Sequence, residues 1–357
     1  MNRTGKIRAL LVDDSPTIRR RLAEVLDADP EIEVIGEAED GLAAVERCRE
    51  LRPDVITLDM MLPVMSGVAA TEYIMAHFPT PILIVSASTN RGELLKTYDA
   101  LAAGAVDVFE KPGGAETLED WERRFCAAVK MVSRIKVITH PRGRLATLGR
   151  PAPDAPPISR RSASQAVQIV ALGASTGGPA AMVTVLSQLP AGFPVPVVIL
   201  LHIDEVFGAA FVEWLDLQTH HRVAYPHAGD RVSGFGGRVA MAPPGRHLTV
   251  VEGRFHFTSA PPRHSCRPSL DVLFESIAAN YGASAVACIL TGMGRDGAGG
   301  LLEIRRAGGI TMAQDEATSV VYGMPREAVN LGAAEIVLPL GAIGRTLAML
   351  VSTGRGP

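Results

Sequence analysis

The chain has 357 residues, 47% of them apolar, with 38 acidic against 35 basic side chains and a formal net charge of −3. That length exceeds what one hydrophobic core organises, and that apolar content can fill two cores. Because charge is spread along the chain instead of gathered into basic runs, a nucleic-acid groove and a basic membrane-surface helix are excluded as its main business.

Cys48, Cys126, Cys266 and Cys288 lie far apart with no C-x-x-C pair. That fits reduced thiols in a cytoplasmic protein better than a disulfide or zinc framework. The opening MNRTGKIRALLVDD reaches an acidic pair after too short an apolar run for a signal peptide, and no later run is long enough to span a bilayer. No direct membrane insertion is expected.

From residue 7 onward, short β-branched runs alternate with amphipathic stretches. IRALLVDD is followed by PTIRRRLAEVLDAD, VIGEAED by GLAAVERCREL, DVITLDM by GVAATEYIMAHF, PILIVSAS by GELLKTYDALAAG, and DVFEKP by TLEDWERRFCAAVKMV. Strand-helix pairs in this order predict an α/β fold, a doubly wound parallel (βα)5 sheet over residues 7–126, because parallel strands need a crossover and the helices then cover both faces.

Ligands of such sheets bind at the carboxyl ends of the strands. There the sequence puts Asp13 and Asp14 after the first strand, Asp59 after the third, Ser86 at the fourth, and Lys111 with Pro112 after the fifth. Converging carboxylates repel one another unless a divalent cation joins them, and an all-oxygen site suits Mg²⁺. A carboxylate so placed can also attack a phosphoryl donor while the metal and a lysine neutralise the developing charge. Asp59 is the best placed for that role.

This set of residues resembles the receiver domain of bacterial response regulators. The resemblance implies that Asp59 accepts a phosphoryl group from a histidine kinase, and that Asp13 and Asp14, with Asp59, hold Mg²⁺. It further implies that Ser86 contacts the phosphoryl oxygen and Lys111 pairs with it. One departure is Val108, three residues before the lysine, where many receivers carry an aromatic switch residue.

Residues 127–165 are expected to link this domain to the next. Between Ile138 and Gln165, Pro151, Pro153, Pro156 and Pro157 deny the segment a hydrogen-bonded ladder, and little in it is apolar.

AVQIVALG then predicts a strand, and PAAMVTVLSQLP, apolar at 182, 185, 186 and 189, predicts a helix. Between them ALGASTGGP, residues 171–179, could be a phosphate-binding loop, a tight turn without chemistry, or a turn presenting Ser175. A dinucleotide site needs G-x-G-x-x-G, and a P-loop needs a lysine and a hydroxyl where Pro179 stands. The pattern that fits is G-x-S-x-G over Gly173–Gly177, a nucleophile on a sharp turn at a helix N-terminus whose backbone N–H groups can stabilise an oxyanion.

The next strand, VPVVILLH, delivers His202 at its carboxyl end, and ASAVACILTGMGRDG puts Asp296 in a glycine-rich loop after a later one. A serine, a base and a carboxylate on one edge of a second parallel sheet support hydrolysis through an acyl-enzyme. His220, His221, His227, His247, His256 and His264 fall in loop or hairpin-like text and are expected to be solvated. The glycine-rich stretch 230–262 is expected to add antiparallel hairpins on the sheet edge.

The strings GASTGG, RPSLDVLF, LTGMGRDGA and AQDEATSVVYGMPREA resemble the catalytic domain of chemotaxis protein-glutamate methylesterases, the CheB family, over residues 166–350, and the catalytic domain is expected over 166–353. The expected architecture is therefore two doubly wound domains, a receiver and a Rossmann-like methylesterase domain. The resemblance implies Ser175 as nucleophile, His202 as general base and acid, Asp296 as the residue orienting the imidazole, and backbone groups near Thr176 and Met293 as oxyanion donors.

It also implies hydrolysis of γ-glutamyl methyl esters on methyl-accepting chemotaxis receptors with release of methanol, glutamine deamidation by the same acyl-enzyme chemistry, and no cofactor for the esterase step. Where the family usually reads His-Met-Pro, this chain has His202, Ile203 and Asp204, which alters the rim of the substrate groove. The alternative from another class is a phosphorylation-dependent binding protein with a weakened esterase domain. A DNA-binding regulator is disfavoured by the lack of a helix-turn-helix pattern.

Overall fold

The structure, a computed structural model, describes residues 5–87, 90–112, 117–135, 137 and 166–353. The segment 138–165, on which the reading of a proline-rich linker rests, lies outside the described residues. The chain divides into two units, with the break falling in that segment.

The first unit carries β1 (Ile7–Val12), α1 (Pro16–Asp27), β2 (Ile32–Ala38), α2 (Gly41–Leu51), β3 (Val55–Leu58), α3 (Gly67–His77), β4 (Ile82–Ser86), α4 (Arg91–Ala102), β5 (Asp107–Glu110) and α5 (Leu118–Ser133). Its five strands lie in the order β2-β1-β3-β4-β5, all parallel. Local chemistry starts the helices. Ser15, Asp40, Ser66, Asn90 and Thr117 each turn a side-chain oxygen onto a backbone N–H of the first turn, satisfying a donor that the helix itself cannot.

Along α5, Trp121, Phe125, Val129 and Val132 recur at helical spacing and are buried against Leu11, Val85 and Phe109. The expected boundary at residue 126 is therefore corrected. It falls inside a helix whose last two turns still fill the first core, so the module runs on to Ser133.

The second unit carries β6 (Ile169–Ala174), α6 (Gly178–Leu186), β7 (Val197–Leu201), α7 (Glu205–Gln218), β8 (Arg222–Ala224), β9 (Arg238–Met241), β10 (His247–Val251), β11 (Arg254–Thr258), α8 (Leu270–Tyr281), β12 (Ala285–Ile289), α9 (Ala298–Arg306), β13 (Ile310–Gln314), α10 (Met324–Asn330), β14 (Ile336–Leu338) and α11 (Leu340–Thr353). Seven strands form one parallel sheet in the order β14-β13-β12-β6-β7-β9-β8.

The stretch 230–262 differs from expectation in one respect. It contributes a single antiparallel hairpin, β10 with β11, standing as its own two-stranded sheet, while β9 enters the main sheet parallel to β7. The hairpin buries Leu248, Val250 and Phe255 against Leu273, Phe274 and Ile277 of α8. Among the described residues, no helix is long and apolar enough to cross a membrane.

Candidate functional site

In the first unit the strand order reverses between β1 and β3, the place where open α/β sheets bind ligands. Asp13 follows β1 and Asp59 follows β3, and both are buried, at 1% and 4% exposure. Lys111, just past β5, sets Nζ 2.7 Å from Asp13 Oδ2 and 3.0 Å from Asp59 Oδ2. Burial pushes the Asp59 carboxyl above its ordinary pKa, and Lys111 only partly offsets that rise. Burial also opposes the charge on Lys111, but contacts with the two aspartates outweigh it and raise the ammonium's pKa.

Asp13, Asp14 and Asp59 offer carboxylate oxygens within 4.8 Å of one another. An all-oxygen set of that size fits a hard divalent cation such as Mg²⁺. Ser86 ends β4 as expected, yet its hydroxyl donates to Glu93 Oε1 at 2.7 Å, and the Ala87 N–H donates to the same oxygen at 3.2 Å. Glu93, buried in the first turn of α4, is a pocket residue that the sequence reading did not single out.

In the second unit the order reverses between β6 and β12, the place where open α/β sheets bind ligands. Ser175 follows β6. Its N–H donates to the Thr291 carbonyl at 3.0 Å, tying it to the loop after β12. Gly177 caps α6 at φ +77°, a conformation that side-chain-bearing residues resist. A Cβ on Gly292 would lie 2.8 Å from Ser175 Cβ, so only glycine permits this approach.

The two oxyanion candidates are brought beside the serine by the chain itself. Thr176 is the next residue and buried, and its carbonyl accepts from Thr291 Oγ1 at 3.0 Å. Met293 follows Gly292, with its side chain 59% exposed.

His202 extends the β6–β7 register by one residue, since Ala174 pairs with Leu201 and the His202 N–H donates to the Ala174 carbonyl at 3.0 Å. Parallel pairing thus sets Ser175 and His202 side by side at adjacent strand ends. His202 Nε2 and Asp296 Oδ2 are 2.9 Å apart, which leaves Nδ1 as the ring nitrogen not engaged by the carboxylate.

Asp296 is 2% exposed and is held by four donors. Besides His202 these are the Ser269 hydroxyl (2.7 Å, to Oδ1), the Leu270 N–H (2.7 Å, to Oδ2) and the Asp271 N–H (3.2 Å, to Oδ1). The carboxylate therefore sits on the N-terminus of α8, where unpaired N–H groups and the helix dipole favour an anion. Burial alone would raise its pKa, but the bonds from His202 and Ser269 outweigh burial and hold it below the usual carboxylate range. For His202, burial disfavours the cation, while the hydrogen bond to Asp296 and then the neighbouring Cys266 favour it. The balance is a pKa raised to about 9.

Three supports were not expected. Ser269 both donates to Asp296 and accepts from the Val272 N–H as the cap of α8. His247 is 1% exposed, not solvated. Its Nδ1 accepts the Ser269 N–H at 3.1 Å, and its Nε2 lies 3.1 Å from the Pro261 carbonyl. Cys266 Sγ stands 4.0 Å from His202 Nδ1. His221 is also buried, at a distance in sequence from these groups. Ile203 and Asp204 lead from β7 into α7, with Asp204 at the N-cap position and exposed on the rim.

Residues 170–347 match the family described as CheB methylesterase, and residues 9–121 match the response regulator receiver domain. A protein-glutamate methylesterase/protein-glutamine glutaminase of Anaeromyxobacter dehalogenans is 42% identical over 341 residues, covering 96% of each chain. One of Nitrosospira multiformis is 42% identical over 350 residues, covering 97% of each. The crystal structure of the Thermotoga maritima CheB methylesterase catalytic domain is 33% identical over 52% of this chain and 99% of that one, with a TM-score of 0.50. The chain belongs to the CheB methylesterase family, its hydrolase domain preceded by a response regulator receiver domain.

Proposed function

We infer that this protein is a cytoplasmic, phosphorylation-regulated esterase that hydrolyses γ-glutamyl methyl esters on methyl-accepting chemotaxis receptors, and that the same site deamidates receptor glutamines. The observation that carries this reading is the part-buried His202, paired with the buried Asp296, beside Ser175 at one sheet edge. Ser175 Oγ attacks the ester carbonyl while His202 takes its proton. The tetrahedral intermediate collapses, the methoxy oxygen leaves with that proton as methanol, and water, deprotonated by the same imidazole, then hydrolyses the acyl-enzyme to a carboxylic acid. Backbone N–H groups of Thr176 and Met293 are the proposed donors to the oxyanion. Each ester removed restores a negative charge to the receptor, which changes helix pairing there.

In the receiver domain, Asp59 is the proposed phosphoacceptor, with a chemotaxis histidine kinase as donor. Asp13, Asp14 and Asp59 would hold Mg²⁺, which when bound neutralises charge on the transferring phosphoryl group. Lys111 already spans Asp13 and Asp59, so it is positioned to pair with that group, and Ser86 would contact its oxygen after releasing Glu93. The test is methanol release from methyl-labelled receptor membranes with and without a small phosphodonor. Addition should raise the intact protein's rate by about 5- to 150-fold, the range of ordinary coupling energies, and should leave Asp59→Asn unchanged. An equal response from Asp59→Asn would remove Asp59 from the role.

A further inference from the structure

Cys266 is presented to the hydrolytic site by a tight turn. The Arg263 N–H donates to the Cys266 carbonyl at 3.1 Å and the Cys266 N–H returns a bond to Arg263 at 2.8 Å. His264 and Ser265 between them both have positive φ, at +51° and +63°. Two successive residues of that kind within a reciprocal pair make a type I′ turn, which fixes the direction of the next side chain. The thiol that results is half-buried, donates weakly to the His264 carbonyl at 3.4 Å, and faces His202 Nδ1 at 4.0 Å.

We propose that Cys266 and His202 form a binding site for a thiophilic divalent cation of the Zn²⁺ type, and that occupying it switches ester hydrolysis off. The donor chemistry is right for such an ion, since thiolate sulfur and imidazole nitrogen are its preferred ligands. The spacing is close to right as well. Bond lengths of about 2.3 Å to sulfur and 2.0–2.1 Å to nitrogen at a tetrahedral angle put the two donors about 3.6 Å apart, so the 4.0 Å pair needs only a small inward shift.

Asp296 supplies what a metal-bound histidine usually has, a carboxylate on the opposite ring nitrogen that fixes the tautomer and leaves the other lone pair free to coordinate. Its own oxygens are committed to Ser269, Leu270 and Asp271, so it serves as this outer support instead of as a ligand. Water would complete the coordination. Binding displaces the thiol proton and, where His202 is an imidazolium, its Nδ1 proton, and forms the metal–sulfur and metal–nitrogen bonds, so affinity rises with pH.

The inhibitory consequence rests on the proposed role of His202, because a lone pair shared with a metal cannot accept the Ser175 proton. Two readouts on the intact chain separate the binding claim from that role. With Co²⁺ as probe, a thiolate-to-metal charge-transfer band in the near ultraviolet is expected for the wild type and not for Cys266→Ser. The aspartate cluster after β1 and β3 supplies only oxygen and gives no such band.

With Zn²⁺ at ten times its half-saturating concentration, hydrolysis by the wild type should fall about elevenfold and recover on adding a chelator. Cys266→Ser, compared with its own metal-free rate, should resist. No band in the wild type, or an equal band or equal inhibition in Cys266→Ser, would overturn the site. A Cys266-dependent band with undiminished hydrolysis would overturn the switch and count against His202 as the base. Failure of the esterase reading itself would show separately, as no hydrolysis before any metal is added.

Discussion

Ser175→Ala is expected to lose essentially all ester hydrolysis while the protein stays folded. The side chain projects from a turn whose geometry is set by backbone groups: the Ser175 N–H on Thr291, the Gly178 N–H on the Ser175 carbonyl at 2.7 Å, and the left-handed Gly177. Removing one hydroxyl disturbs none of these. It does remove the only proposed atom that bonds to the substrate carbon, so kcat should fall by roughly 10⁴- to 10⁶-fold, with residual rate from oxyanion donors and binding alone. Adding His202→Ala should then cost almost nothing more, since residues acting as one unit are not additive. A double variant losing the full product of both single effects would break the link between them, and methanol release near the wild-type rate by Ser175→Ala would remove Ser175 from the mechanism.

Asp296→Asn should produce the second large effect and one that moves in two directions. An amide can no longer take the imidazole N–H while accepting from Ser269, Leu270 and Asp271, and the wrong tautomer costs roughly 10⁴ in turnover. The pH profile should shift too. A general base must be neutral to accept a proton, and Asp296 and then Cys266 lift His202 to about 9 against the opposing effect of burial. Wild-type kcat/KM should therefore climb with pH, with its half-point well above the ordinary histidine value of about 6.5. Without the carboxylate, burial is less opposed and the half-point should move down. A full pH–rate series on both proteins checks this, and an unchanged half-point in Asp296→Asn would mean that His202 is not the titrating base.

The parts of the site that sit at strand ends were legible because a parallel sheet delivers every strand's last residue to one edge. Asp13, Asp59, Lys111, Ser175 and His202 needed only the strand-helix alternation to be placed. What holds Asp296 was not legible. Ser269 lies 27 residues away and His247 a further 22, on elements brought together only by packing of the hairpin on α8. The string RPSLDVLF does carry a signal, a serine ahead of an apolar helical run, which marks Ser269 as an N-cap and so locates the helix end that receives the carboxylate.

His247 was misjudged because alternating text says which residues face one way, not which face another element will cover. Alternation also cannot separate a strand that joins a parallel sheet from a hairpin arm, hence the reassignment of β9. The boundary at 126, by contrast, was avoidable, since Phe125, Val129 and Val132 already continue the helical stripe.

The central claim is that Ser175 becomes a covalent nucleophile because His202 stands beside it. A fluorophosphonate probe with peptide mapping by mass spectrometry measures this directly. The account predicts one adduct per chain, carried by the peptide containing Ser175, forming at a rate that drops to background in His202→Ala. A stoichiometric adduct on another serine, or undiminished labelling of Ser175 without His202, would contradict it.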